Sequence, residues 1–138
     1  MQQAAPDAPA SSAVDAMSVA YRHIVRLRLV SARMVLLQRS GKIASHHAAI
    51  GEEALIVGAT LGARERDWIF PGLHEWGAAL VRGVALGEYV HQAFGSRISR
   101  AKGNSPPDLV SSRAARIAPA SGIPGAHLTQ AVGTAWAA

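Results

Sequence analysis

The sequence predicts a helical chain of about five helices with almost no strand. Three observations lead there. Met17, Tyr21, Ile24, Leu27, Met34 and Leu37 recur at helical spacing over one long early segment. Gly41 and Gly83 stand where two such segments should stop. The one short apolar run with strand character, Trp68-Ile69-Phe70, is closed at once by Pro71-Gly72.

Taken in order, residues 1–11 are Ala-, Gln- and Pro-rich and read as a flexible tail, with the domain boundary drawn at residues 1–14 and 15–138. Ser12 or Asp15 caps a first helix running to about Ser40, with Arg22, Arg26 and Arg33 on its solvated side. Residues 43–50 show no period and carry the adjacent pair His46-His47, so they read as a loop. A second helix spans 51–61, and Glu52 and Glu53 suit the dipole at its start. Further helices are expected over 73–82 and 86–94. Residues 95–122 are rich in Gly, Pro, Ser and Arg and read as a long irregular segment, which in a compact domain is usually functional or mobile. Gly122-Ile123-Pro124-Gly125 then opens a last helix over 126–138, and the sequence stops inside it with no stop signal.

Composition narrows the function classes. Hydrophobic residues make up 49% of the 138, too many for disorder by low apolar content. Only seven residues are aromatic, so large core anchors are few and dependence on further chain or a partner is expected. Cys is absent, which excludes disulfides, Cys-based zinc sites and a thiol nucleophile. No stretch approaches the roughly 18 apolar residues of a membrane span, and no signal peptide is evident, so a cytoplasmic setting is the expectation. The net charge of +5 admits a polyanion partner. Twelve of the fourteen basic residues are Arg and they are dispersed, which a GC-rich coding bias explains equally well. A nucleic-acid-binding role lacks any helix-turn-helix or RNA-binding aromatic motif.

Few residues carry chemistry by spacing alone. None of the six His pairs with another at the i, i+4 spacing of a zinc protease, and no metal site is assigned. Adjacent rings at His46 and His47 point apart unless the loop bends. A His in such a loop is a candidate for substrate contact, because imidazole donates or accepts near neutral pH; an exposed loop pair is the plain alternative. Glu52 and Glu53 are either paired acid–base carboxylates or first-turn dipole partners, with the second favoured. Ser111-Ser112 has no neighbouring base. The turn at residues 122–125 offers backbone N–H groups at a helix start, suited to an anion or a flat heterocycle.

Three segments in order, RSGKIASHHAAIGEEALIVGATL, RDWIFPGLHEWGAALVRGVALGEYVHQAFG, and KGN followed by SSRAARIAPASGIPGAHLTQAVGTAWAA, resemble one family over residues 16–138. They are similar to the N-terminal part of the alpha subunit of the E1 component of thiamine-diphosphate-dependent 2-oxoacid dehydrogenases, of pyruvate or branched-chain type. The resemblance implies an α/β thiamine-diphosphate-binding fold, a parallel sheet flanked by helices, of which this chain holds mostly the N-terminal helical portion. It implies assembly of two alpha with two beta subunits, a 2-oxoacid substrate, thiamine diphosphate held with Mg²⁺, and transfer of the acyl group to a lipoyl-bearing E2.

Carried over by position, His47 falls where pyruvate-type relatives have a substrate-facing His, whereas Gly51-Glu52-Glu53 resembles the branched-chain type. Gly122 and Pro124 fall where backbone groups meet the aminopyrimidine, although Pro124 removes one N–H. Leu73-His74 replaces the Tyr-Arg pair that binds the diphosphate in the family, and Trp76 stands in for a smaller residue beside it. A neutral His offers one donor where Arg offers several. Each charge-assisted hydrogen bond lost is worth about 1.5–3 kcal/mol, an order of magnitude or more in affinity. The family's metal motif, Gly-Asp-Gly with a later Asn, falls beyond Ala138, so no residue here is assigned to Mg²⁺. The resemblance therefore implies either a portion of an intact enzyme, inactive alone, or a non-catalytic remnant that keeps a subunit-interaction surface.

Overall fold

The computed structural model describes residues 12–138, so the tail expected at residues 1–11 lies outside the described residues. Five helices follow in order: α1 (Ala13–Arg39), α2 (Glu53–Gly62), α3 (Gly77–Val81), α4 (Leu86–Ala93) and α5 (Ala126–Ala137). Helix α1 begins inside the boundary drawn at residue 14. Ser12 caps it, its Oγ accepting from the backbone N–H of Asp15 at 3.2 Å.

Helix α1 ends in a hydrogen-bond pattern that needs a left-handed residue. The N–H of Gly41 donates to Gln38 O and that of Lys42 to Leu37 O, both at 2.9 Å, with Gly41 at φ +70°. Gly83, at φ +88°, closes α3 in the same way. These are the two stops marked by glycine in the sequence.

The middle of the molecule is built on α1, α2 and α3. Leu27 and Met34 of α1 and Ile56 and Val57 of α2 are buried with Trp76, Ala78, Ala79 and Leu80. Gly77 makes the close approach possible: a Cβ there would sit 2.7 Å from Leu27 Cδ1 and 3.4 Å from Ile56 Cγ2. An ion pair also joins α1 to α2. Arg28 is bound through both Nε and Nη2 to the carboxylate of Glu53, the second contact at 3.0 Å, and Glu53 also accepts from the N–H of Gly51 at 2.9 Å.

Several expectations change. The apolar face of α1 is buried only in part: Met17 and Tyr21 are 72% and 68% exposed. No residue of the described α1 before Leu27 is buried, so the helical spacing over its first turns marks a largely exposed face. Glu53 is not simply a dipole partner at a helix start; it is a buried anion paired with Arg28, while Glu52 stays exposed. The helix expected over 73–82 shrinks to five residues, because 71–76 turn to deliver Trp76 into the core.

No strand is found among the described residues. Ile69 makes one parallel bridge to Ile117, which also bridges Ser112. The strand expectation at Trp68-Ile69-Phe70 thus reduces to a single paired residue, and the parallel sheet implied by the resemblance is not present in this helical portion. That bridge anchors the long 95–122 segment, which is ordered around buried Asp108, Val110, Ser112, Ile117 and Ala118.

Candidate functional site

The loop between α1 and α2 bends so that both adjacent histidines meet one carboxylate. Asp108, in the 95–122 segment, lies 3.0 Å from His46 Nδ1 through Oδ1 and 3.1 Å from His47 Nδ1 through Oδ2. The backbone N–H of His47 donates to Oδ2 at 2.7 Å, and the hydroxyl of Tyr89 in α4 donates to Oδ1 at 2.7 Å. Asp108, His46 and Tyr89 are all buried. Burial works to raise the Asp108 carboxyl, but hydrogen bonds from His46, Tyr89 and the His47 backbone outweigh it and hold the group below its ordinary range. Burial and the neighbouring negative charge push the Tyr89 phenol far upward, so it stays protonated.

Trp76 supports this cluster from the side. Its indole N–H donates to His47 O at 2.8 Å, and its ring stacks on Tyr89 with centroids 5.0 Å apart. The substitution noted at Trp76 is therefore a buried strut under His47. On the far side of His46, Ser31 Oγ lies 3.1 Å from Nε2 and accepts from the N–H of Ala49 at 3.3 Å.

Ser31, His46 and Asp108 thus connect in the order of a hydrolytic triad. Ser31 is fully buried and engaged on both sides, so its hydroxyl has no access to a substrate. Ser112 contacts Arg100 and the N–H of Ala115 and has no base beside it, as its neighbours in sequence indicate. Among the described residues, no group of three or more His, Asp or Glu is arranged to hold a metal ion.

The candidate residues are placed as follows. His47 is partly exposed, and its ring meets that of His74 edge-on with centroids 5.6 Å apart. His74 is exposed and Leu73 half-buried. Gly122 and Pro124 are exposed at the turn before α5. His127, in the first turn of α5, packs against Gly72, two residues before His74. A Cβ at Gly72 would sit 3.5 Å from His127 Cε1 and 2.6 Å from Glu75 Oε2. Gly72 is thus held bare where α5 meets the 72–75 turn. Nδ1 of His127 is buried there with no hydrogen-bond partner. In the turn itself, Ile123 already donates its N–H to Ser121 Oγ at 3.1 Å, and Pro124 has none to give. Asp108, Tyr89 and His127 were not legible as site residues. Asp108 sits in an irregular segment with no spacing relation to the histidines it binds.

Similarity to known proteins first gives a class. Residues 21–138 match the family described as "Dehydrogenase E1 component", and the chain belongs to that family. Its relatives include alpha subunits. It is 31% identical over 116 residues to the 2-oxoisovalerate dehydrogenase subunit alpha 2, mitochondrial, of Arabidopsis thaliana, covering 84% of this chain and 25% of that protein. It is 31% identical over 112 residues to the 2-oxoisovalerate dehydrogenase subunit alpha of Pseudomonas aeruginosa, covering 81% and 27%. With the pyruvate dehydrogenase E1 component subunit alpha of Mycoplasma genitalium it shares 40% identity over 57 residues, 41% of this chain and 16% of that one. The chain therefore spans about a quarter of the length of the first two relatives. No helix among the described residues is long and apolar enough to cross a membrane.

Proposed function

We propose that this chain is the N-terminal portion of the alpha subunit of a 2-oxoacid dehydrogenase E1 component. With a beta subunit it would serve decarboxylation of a 2-oxoacid on thiamine diphosphate and delivery of the acyl group to a lipoyl-bearing E2. The observation that carries the reading is the meeting of His47 and His74, 27 residues apart in sequence, at a centroid separation of 5.6 Å. The resemblance assigns one to the substrate and the other to the diphosphate arm, and such groups must converge.

The donor set fits an anion. His74 would face the diphosphate, and the unpartnered Nδ1 of His127 offers a second imidazole from the first turn of α5, where the helix dipole favours negative charge. Gly122 and Pro124 would meet the aminopyrimidine through main chain, with Gly122 supplying the N–H that Pro124 lacks. Leu73 would contribute apolar contact in place of a hydroxyl. His47 would face the substrate. The cofactor supplies the carbanion chemistry when bound, and the chain's part is to bind and orient. The resemblance places the Mg²⁺ ligands elsewhere in the family's sequence.

A second reading, a non-catalytic chain that keeps a subunit-interaction surface, is favoured by one feature. Helix α5 buries none of its residues, and Leu128, Val132 and Trp136 stand exposed at i, i+4, i+8 spacing along it. Co-expression with a branched-chain-type beta subunit separates the two. Co-purification with stoichiometric thiamine diphosphate supports the enzymatic portion. Co-purification without cofactor supports the interaction module, and failure to associate contradicts both. The chain alone is expected to give no 2-oxoacid decarboxylation.

A further inference from the structure

We propose that Asp108 is the positioning residue for His47, fixing the proton of that imidazole on Nδ1 so that Nε2 is the nitrogen through which His47 acts. The consequence for function rests on the reading of His47 as substrate-facing; the assignment of the proton does not.

Hydrogen-bond satisfaction at Asp108 fixes the tautomer. An ionised carboxylate accepts only, with about four lone-pair directions. Four donors surround Asp108, two on each oxygen. Oδ1 faces the Tyr89 hydroxyl at 2.7 Å and His46 Nδ1 at 3.0 Å. Oδ2 faces the His47 backbone N–H at 2.7 Å and His47 Nδ1 at 3.1 Å. A bare nitrogen lone pair at either imidazole position would oppose a carboxylate lone pair inside a buried cluster, where an unmade hydrogen bond is costly. Both rings therefore carry Nδ1–H.

The two histidines then part company. On His46 the remaining Nε2 accepts from the Ser31 hydroxyl at 3.1 Å, whose oxygen in turn accepts from Ala49 N–H. Both nitrogens of His46 are spent inside the protein, and it is a brace. His47 has a side chain 37% exposed and spends only Nδ1 on Asp108. The backbone on either side of its ring is also held, its N–H by Asp108 and its carbonyl by the Trp76 indole. A fixed ring with one uncommitted nitrogen can exchange a hydrogen bond or a proton with a ligand at Nε2 alone. While neutral it accepts, so it would take an O–H or N–H of the bound molecule. A carboxylate partner that orients an imidazole in this way sets which nitrogen reacts, an effect seen generally where His acts as a base or a ligand.

The test reads the tautomer directly. Long-range proton–nitrogen correlations are recorded on the ¹⁵N-labelled chain at a pH where its imidazoles are neutral, with His47→Gln used to assign the His47 signals. Both His46 and His47 are expected as the Nδ1–H form. A predominantly Nε2–H His47 in the native chain overturns the proposal. In Asp108→Ala, His47 is expected to lose its Nδ1–H preference; an unchanged tautomer in a folded variant also overturns it. Should that variant fail to fold, the native measurement decides, together with Tyr89→Phe. The latter keeps the carboxylate and is expected to leave His47 as Nδ1–H, and a switched tautomer there would overturn Asp108 as the determinant. An Nε2–H His47 beside normal thiamine diphosphate binding defeats the positioning role alone, whereas an Nδ1–H His47 without cofactor binding defeats the functional reading alone.

Discussion

At the scale of single residues, two buried carboxylates, Asp108 and Glu53, tie the chain together. Asp108 holds three chain segments together through side chains and backbone, so Asp108→Ala leaves the Tyr89 hydroxyl, two imidazole N–H groups and a backbone N–H unsatisfied. A stability loss of about 3 kcal/mol or more is expected in urea titration. Tyr89→Phe removes one donor while the carboxylate keeps the others, and about 1 kcal/mol is expected. Glu53 is held down to about 2 from an ordinary 4.5, through its hydrogen bond to Arg28 against the cost of burial. A depressed carboxyl stabilises the fold above its unfolded value and loses that contribution as pH falls through its folded one. The melting temperature should therefore drop between about pH 4.5 and pH 2, and Glu53→Gln should flatten that acid limb. A Glu53→Gln chain with the same acid profile as the native one would contradict the pairing.

At the scale of elements, helix stops and caps were legible because they are local. Ser12 and Gly41 act within four residues of the bonds they make. Gly77→Ala should cost about 1–3 kcal/mol, since a methyl there meets Leu27 of α1 at 2.7 Å; chemical denaturation measures it. A change below the error of that measurement would mean α1 and α3 are looser than described. What sequence could not supply was the pairing of distant irregular segments. The 95–122 stretch has no period, so nothing in it marked Asp108 as the partner of residues some sixty positions earlier. Likewise the 73–82 segment has helical composition, yet tertiary packing of Trp76 overrides its first turn. His47 and His74 were found by family resemblance, not by spacing, and their adjacency came from the fold.

At the scale of the whole molecule, the two ends differ from the middle. Residues of α1, α2 and α3 share a buried core, while α5 contributes no buried residue and Trp136 is 92% exposed. Amides of α5 should exchange with solvent well before those of α2, as read by hydrogen exchange, because local opening there exposes little apolar surface. Equal protection in α5 and α2 of the isolated chain would contradict the described packing. The exposed stripe on α5 and the exposed Met17 and Tyr21 on α1 agree with a chain that covers only a quarter of its alpha-subunit relatives. The missing sheet is understood in the same terms. A helical portion is legible in the chain, and the strands implied by the family are not among the described residues.

Under the proposed function, His74 stands where the diphosphate arm of the family carries arginine. The most direct measurement is thiamine diphosphate affinity in the complex with a beta-type subunit, for the native chain and for His74→Arg. Binding in His74→Arg is expected to be tighter by an order of magnitude or more, from the added fixed donors. Unchanged affinity in His74→Arg, with the complex intact, would contradict this placement of His74.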